Sequence, residues 1–119
     1  MPKVLVAEDD ATMVGLLTTL LKMDGLEVTA LDADADVAAE VKRSQPEVLL
    51  LDVHLAQQNG LDVLGAIRSE DPGHRVRVIM ISGLNLKEES MRRGADDFLL
   101  KPFMPDELMT MLRKNIRSQ

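Results

Sequence analysis

Apolar residues gather in five short runs: Lys3–Ala7, Leu26–Leu31, Val48–Val53, Arg77–Ser82 and Asp97–Lys101. The segments VLLLDV and VIMIS are apolar without alternation, the pattern of strands covered on both faces of a parallel sheet. Between the runs the spacing turns helical. Val14, Leu17 and Leu21 form one stripe with Met13 and Leu20 beside it; Val37 and Val41 mark a second, and Leu61, Leu64 and Ile67 a third. Leu108, Met111, Leu112, Asn115 and Ile116 mark the last, with only Asn115 polar. The stretch Leu84–Arg93 predicts the weakest helix, since only Leu84, Leu86 and Met91 are apolar there.

Gly25, Pro46, Gly60, Pro72, Gly73, Gly94 and Pro102 fall at or near the junctions, where chain breakers belong. No repeat, low-complexity tract or linker-like stretch interrupts the pattern, so residues 1–119 read as one domain. Strand and helix alternating five times predict an α/β fold: a doubly wound five-stranded parallel sheet with right-handed crossovers. Such sheets place their sites in the crevice beyond the carboxyl ends of the strands.

Composition narrows the function more than the fold. With 45% apolar and 29% charged residues, a chain of 119 residues can bury one core. No apolar run approaches the ~20 residues that cross a bilayer, and the opening MPKVLVAEDD enters structure at once instead of forming a leader. Without cysteine there is no disulfide framework or thiolate metal site, which suits a reducing cytoplasm, the expected location. A net charge of −6 and only two aromatics, Phe98 and Phe103, argue against direct contact with DNA or RNA. A nucleic-acid role would belong to a partner or a further domain.

The polar residues collect at strand ends. The first strand runs into Glu8, Asp9 and Asp10; the third stops being apolar just after Asp52; the fourth ends in Ser82 and the fifth in Lys101. Carboxylates converging on one point repel unless a cation sits there or a pKa rises. Oxygen ligands without His or Cys side chains favour a hard ion, Mg²⁺ before Ca²⁺. A carboxylate beside that metal can attack phosphorus, while metal, ammonium and hydroxyl neutralise the oxygens of the transferred group. Asp52, Lys101 and Ser82 supply that set.

Each residue also has a plainer role. Phe98, within the fifth strand, would be a core aromatic. At the edge itself Asp9 or Asp10 would cap the following helix, Asp52 would be a buried carboxylate without a task, Ser82 would bond to backbone, and Lys101 would be a solvated strand end. Four such coincidences at one sheet edge make the concerted chemistry the better account.

The segments KVLVAEDD, LLLDVHLAQQNGLDVL, VIMISG and GADDFLLKPF, in that order and spacing, resemble the receiver domain of two-component response regulators, with Gly60 eight residues after Asp52. The resemblance covers essentially the whole chain. It implies the flavodoxin-like strand order 2-1-3-4-5 and a phosphoacceptor switch rather than an enzyme with a separate substrate. Asp52 would take a phosphoryl group from a sensor histidine kinase or a histidine phosphotransfer protein. Asp9 would hold Mg²⁺ directly, Glu8 through water, and the backbone carbonyl of His54 would complete the protein's ligands. Lys101, before a cis peptide to Pro102, would pair with the phosphate. Ser82 would swing toward the phosphate and Phe98 turn inward. Phosphate adds a charge of about −1.5 to −2, enough to bias two packings and change the face built from the fourth helix, fifth strand and fifth helix. That face would meet a protein target, a missing output domain or, weakly, a second copy.

The chain departs from the family pattern in places. Ala56 stands where a proline is usual, which predicts a looser loop after Asp52. The acidic pair is Glu-Asp rather than Asp-Asp, and His54 and Leu84 occupy positions that tune dephosphorylation. Ser82 and Lys101 are 19 positions apart, about three fewer than usual, close to one helical turn; a short fourth helix follows. Asp96 and Asp97 are present, but Met111 stands where dimerising regulators carry an arginine. Met104 and Met109 fall off the last helical stripe and would offer a partner an adaptable surface.

Three rival functions rank lower. A receiver-like interaction module that is never phosphorylated would explain the short helix, yet every site residue is present. An aspartate-nucleophile phosphatase would need a second acid close behind Asp52, where Val53 and His54 stand. A flavodoxin-like cofactor binder would need a phosphate-cradling loop after the first strand, where acids would repel phosphate.

Overall fold

The computed structural model describes residues 1–71 and 75–116, so the predicted turn at Pro72 and Gly73 lies outside the described residues. The elements alternate without exception: β1 (Lys3–Ala7), α1 (Ala11–Met23), β2 (Glu27–Ala30), α2 (Val37–Ser44), β3 (Val48–Asp52), α3 (Gly60–Glu70), β4 (Arg77–Ser82), α4 (Lys87–Arg92), β5 (Asp97–Leu100) and α5 (Pro105–Asn115). The strands pair in parallel in the order β2-β1-β3-β4-β5, as expected. The order reverses between β1 and β3, which opens the crevice at their carboxyl ends.

The unalternating runs are explained by two cores. Val4, Val6, Leu50, Ile79, Ile81 and Leu99 face Leu17 and Leu21 of α1 and Leu108 and Leu112 of α5. Leu5, Leu49, Leu51, Val78, Met80 and Phe98 face Val37 and Val41 of α2 and Leu61, Leu64 and Ile67 of α3. Successive side chains point to opposite faces, so strands buried on both sides have no polar positions to spare. β2 is the exception: an edge strand, largely exposed.

Side chains start three of the helices. Asp10 Oδ1 accepts from the amides of Thr12 and Met13 at 2.9 and 3.1 Å, Asp36 from Ala39 at 3.1 Å, and Asn59 from Leu61 at 2.8 Å, satisfying amides that have no partner inside the helix. α5 opens on Pro105, with Glu107 accepting from the Met104 amide at 2.9 Å. α4 has no side-chain cap and only six residues, the shortening that the Ser82–Lys101 spacing predicts. No helix among the described residues is long and apolar enough to cross a membrane.

The structure corrects details. The predicted strands at 26–31, 48–53 and 97–101 each end a residue earlier, and the first of these also begins one later. Single backbone bonds, Val53 to Ile81 and Lys101 to Ser82, still run past the ends. Met109 is half-buried against the core, so of the two methionines only Met104 is an exposed one. Asp96 and Asp97 are engaged within the chain: Asp96 with Arg68 and Arg77, Asp97 with Lys114 and Asn115.

Candidate functional site

Four strand ends converge as the sequence implies. Glu8 follows β1 and Asp52 ends β3, and both are buried, at 7% and 3% exposure. Lys101, just past β5, places Nζ 2.6 Å from Asp52 Oδ2 and 2.9 Å from Glu8 Oε1. It is therefore a bridging cation, not a solvated strand end. The other carboxylate oxygens are held by backbone: Asp52 Oδ1 accepts from the His54 amide at 2.7 Å, and Glu8 Oε2 from the Asp10 amide at 3.1 Å.

The two acids titrate in opposite directions. Burial and the neighbouring Asp52 carboxylate raise Glu8 above its ordinary value, against the pull of Lys101. Burial also pushes Asp52 up, but hydrogen bonds from Glu8, Lys101 and the His54 amide outweigh it and leave Asp52 lowered. Lys101 is depressed by burial and raised more strongly by its two carboxylates, so it ends above its usual value. Asp52 is thus the acid kept ionised, and Glu8 the one that retains a proton longer.

The loop after β3 completes the setting. Asp9 is half-buried, and its Oδ2 accepts from the Ala56 amide. Asp10 is exposed and spent on capping α1. Gln58 Nε2 donates to the Ala35 carbonyl at 2.9 Å, and His54 pairs with Asn59 in an isolated bridge. The loop is tied at several points although Ala56 stands where a proline is usual. Gly60, whose amide donates to the Val53 carbonyl at 2.7 Å, is packed against the strand end itself. A Cβ there would overlap the Asp52 carbonyl oxygen and sit 2.7 Å from Val53 Cα.

Ser82 is fully buried at the end of β4. Its Oγ accepts from the Leu84 amide at 3.0 Å, which leaves the hydroxyl proton for another acceptor. Its carbonyl accepts from the Lys101 amide at 2.8 Å, so Ser82 also positions the ammonium-bearing residue. The Lys101–Pro102 peptide is cis. Phe98 is 7% exposed and packed inward beside α3, so the expected inward position is occupied in this structure.

Residues 4–113 match the family model for the response regulator receiver domain. The chain belongs to the response regulator receiver domain family. Among its relatives are the probable transcriptional regulatory protein TcrX of Mycobacterium tuberculosis, 32% identical over 96% of this chain and 49% of the relative. Another is the transcriptional regulatory protein CpxR of Escherichia coli, 34% identical over 98% and 50%. The receiver domain of NtrX from Brucella abortus has the same fold, with a TM-score of 0.84 and 30% identity over 98% of this chain and 99% of that one. The receiver spans about half the length of the curated relatives it matches.

Receiver domains act in two-component signalling rather than as classical enzymes, and phosphoaspartate and Mg²⁺ are typical of them. Among the described residues, no group of three or more acidic or histidine side chains is gathered closely enough to hold a metal as it stands. The reason is visible: Lys101 draws Glu8 and Asp52 together, while Asp9 turns to the Ala56 amide. The donors nevertheless suit a hard divalent ion. They are all oxygen: the carboxylates of Glu8 and Asp52, which share one ammonium, and that of Asp9, which is held only by a backbone amide.

Sequence reasoning missed Arg68. It is buried at the end of α3, where Nε donates to the Gly94 carbonyl at 2.8 Å, Nη1 to the Val76 carbonyl at 2.8 Å and Nη2 to Asp96 at 2.7 Å. An arginine one position after Ile67 on an apolar stripe was the available signal.

Proposed function

We propose that this chain, read over 1–119 as one receiver domain, is a phosphoacceptor switch in which Asp52 receives a phosphoryl group from a phosphohistidine partner. The observation that carries the proposal is a buried, ionised Asp52 whose carboxylate is oriented by Lys101 at 2.6 Å and the His54 amide at 2.7 Å. An Asp52 oxygen attacks phosphorus, the phosphorus–nitrogen bond of the donor breaks, and the imidazole leaves with its electron pair. Asp9, Asp52 and the His54 carbonyl would hold Mg²⁺, with Glu8 acting through water; the ion would supply positive charge opposite the phosphoryl oxygens. Lys101 exchanges Glu8 for the new phosphate, and Ser82 donates its free hydroxyl proton to a phosphoryl oxygen.

The domain catalyses only its own phosphorylation and dephosphorylation. Ser82, beside the inward-packed Phe98, couples the phosphate to the α4–β5–α5 face, where Leu84, Met91, Leu100 and Met104 are exposed. A protein target or an output domain reads that face.

Intact mass after incubation with acetyl phosphate or phosphoramidate and Mg²⁺ tests the proposal. One phosphoryl group should be gained, and none in Asp52→Asn or without Mg²⁺. No gain in the native chain would instead favour an interaction module that works unphosphorylated.

A further inference from the structure

Of the three carboxylates at the site, two share the ammonium of Lys101. The third, Asp9, is held by a loop amide, that of Ala56. A backbone N–H to a carboxylate is a charge-assisted bond, stronger than its neutral counterpart, and it neutralises part of the charge that a cation would otherwise neutralise. The donor is also fixed from behind. Gln58 anchors the same loop to the Ala35 carbonyl at 2.9 Å, and Asn59 is bound to its place as the cap of α3. The Ala56 amide that meets Asp9 therefore belongs to a loop tied down at Gln58 and Asn59.

We propose that Ala56 is a positioning residue whose amide competes with the divalent cation for Asp9, so that cation binding and closure of the 54–59 loop oppose one another. Because the coupling is reciprocal, an occupied cation site releases the loop, and a closed loop weakens the cation. Magnesium level then sets both the readiness of Asp52 for phosphorylation and the shape of the adjoining surface. The inference rests on the phosphoacceptor reading, specifically on Asp9 as a cation ligand. Position 56 is where the chemistry is decided, because a proline there has no N–H to offer.

The test follows the unphosphorylated full chain by amide nuclear magnetic resonance and hydrogen exchange while MgCl₂ is added. The Ala56 amide should shift upfield and lose protection with the same midpoint as shifts at His54 and Lys101. By calorimetry, Ala56→Pro should bind Mg²⁺ about three- to tenfold more tightly, the loss of one competing hydrogen bond. Gln58→Ala, which keeps the amide but loosens the loop, should also tighten binding; a pure rigidity effect of proline predicts the opposite. Should Ala56→Pro fail to fold, the native spectra and Gln58→Ala decide. If His54 and Lys101 respond to Mg²⁺ while Ala56 keeps its shift and protection, the inference is overturned and the phosphoacceptor reading stands. If no resonance around Asp52 responds, Asp9 is not a cation ligand, and the inference falls together with that part of the function.

Discussion

Arg68 and Asp96 join the last turn of α3 to the entrance of β5, with Nη2 2.7 Å from Oδ2 and both side chains largely buried. The same Asp96 oxygen accepts from the Val78 amide at 2.8 Å, so the pair also sets the register of β5 on β4. Arg68→Ala would leave the Asp96 carboxylate with only Arg77, at 3.3 Å, as its cation and would take this donor from the Gly94 and Val76 carbonyls. Removing one partner of a buried pair costs about 3–5 kcal/mol, and urea unfolding should show a loss of that size. Arg68→Lys should recover less than half, because one ammonium cannot reproduce the planar fork that reaches three acceptors. A loss under 1 kcal/mol for the alanine variant would show that the clamp contributes little.

Glu8 ties stability to pH. Its pKa is raised in the folded chain, so its favourable contribution is complete below the ordinary carboxylate range and is lost as pH rises through the raised value. Asp52 is lowered and works the other way, contributing above the ordinary range and losing that contribution as pH falls through its depressed value. Lys101 contributes fully below its ordinary 10.5 and loses its contribution only as pH rises beyond, outside this window. Glu8→Gln should therefore melt a few degrees higher than the native chain at pH 7, with the gap closing toward pH 4. Circular dichroism melts across that range check it, and a gap independent of pH would contradict the assignment.

Gly60 is required by proximity to Asp52 rather than by its backbone angles. In Gly60→Ala the new methyl group must push the Asp52–Val53 backbone aside. Overpacking of this kind costs about 1–3 kcal/mol, and here the displaced atoms carry Asp52, the proposed phosphoacceptor. Unfolding midpoint and phosphorylation rate by mass should fall together. A variant of native stability that is phosphorylated at the native rate would mean the contact relaxes without moving Asp52.

Phe98 and Phe103 are the only aromatic residues, so fluorinated phenylalanine gives a two-line spectrum. With Phe98 already packed inward, its line should lie in a buried environment before phosphorylation and move little afterwards. The amides of Ser82 and Leu84, linked at 3.0 Å, should move more. A large displacement of the Phe98 line would indicate that the inward position is filled only with phosphate present.

Much of the site was legible because its chemistry sits next to unmistakable strands. Asp52 follows four apolar residues, and Lys101 and Ser82 stand where runs of the same kind stop, so a parallel sheet necessarily gathers them at one edge. Division of labour among the three leading acids was not legible. Glu8, Asp9 and Asp10 are adjacent and chemically alike, and only folding turns one toward Lys101, one toward Ala56 and one onto the start of α1. Arg68 escaped notice because its acceptors lie on other segments, up to 28 residues away.

By itself, the sequence determined the alternation of strands and helices, the two-sided burial of the sheet, the shortened α4 and the edge at which the functional groups meet. These follow from local periodicity and from the geometry that any parallel sheet imposes. Tertiary structure alone decided which carboxylate stays ionised, which loop amide engages Asp9, and how Arg68 holds α3 against β5. Those outcomes depend on distances of about 3 Å between residues far apart in the chain, the only range at which a hydrogen bond forms and the range at which charges act on one another most strongly.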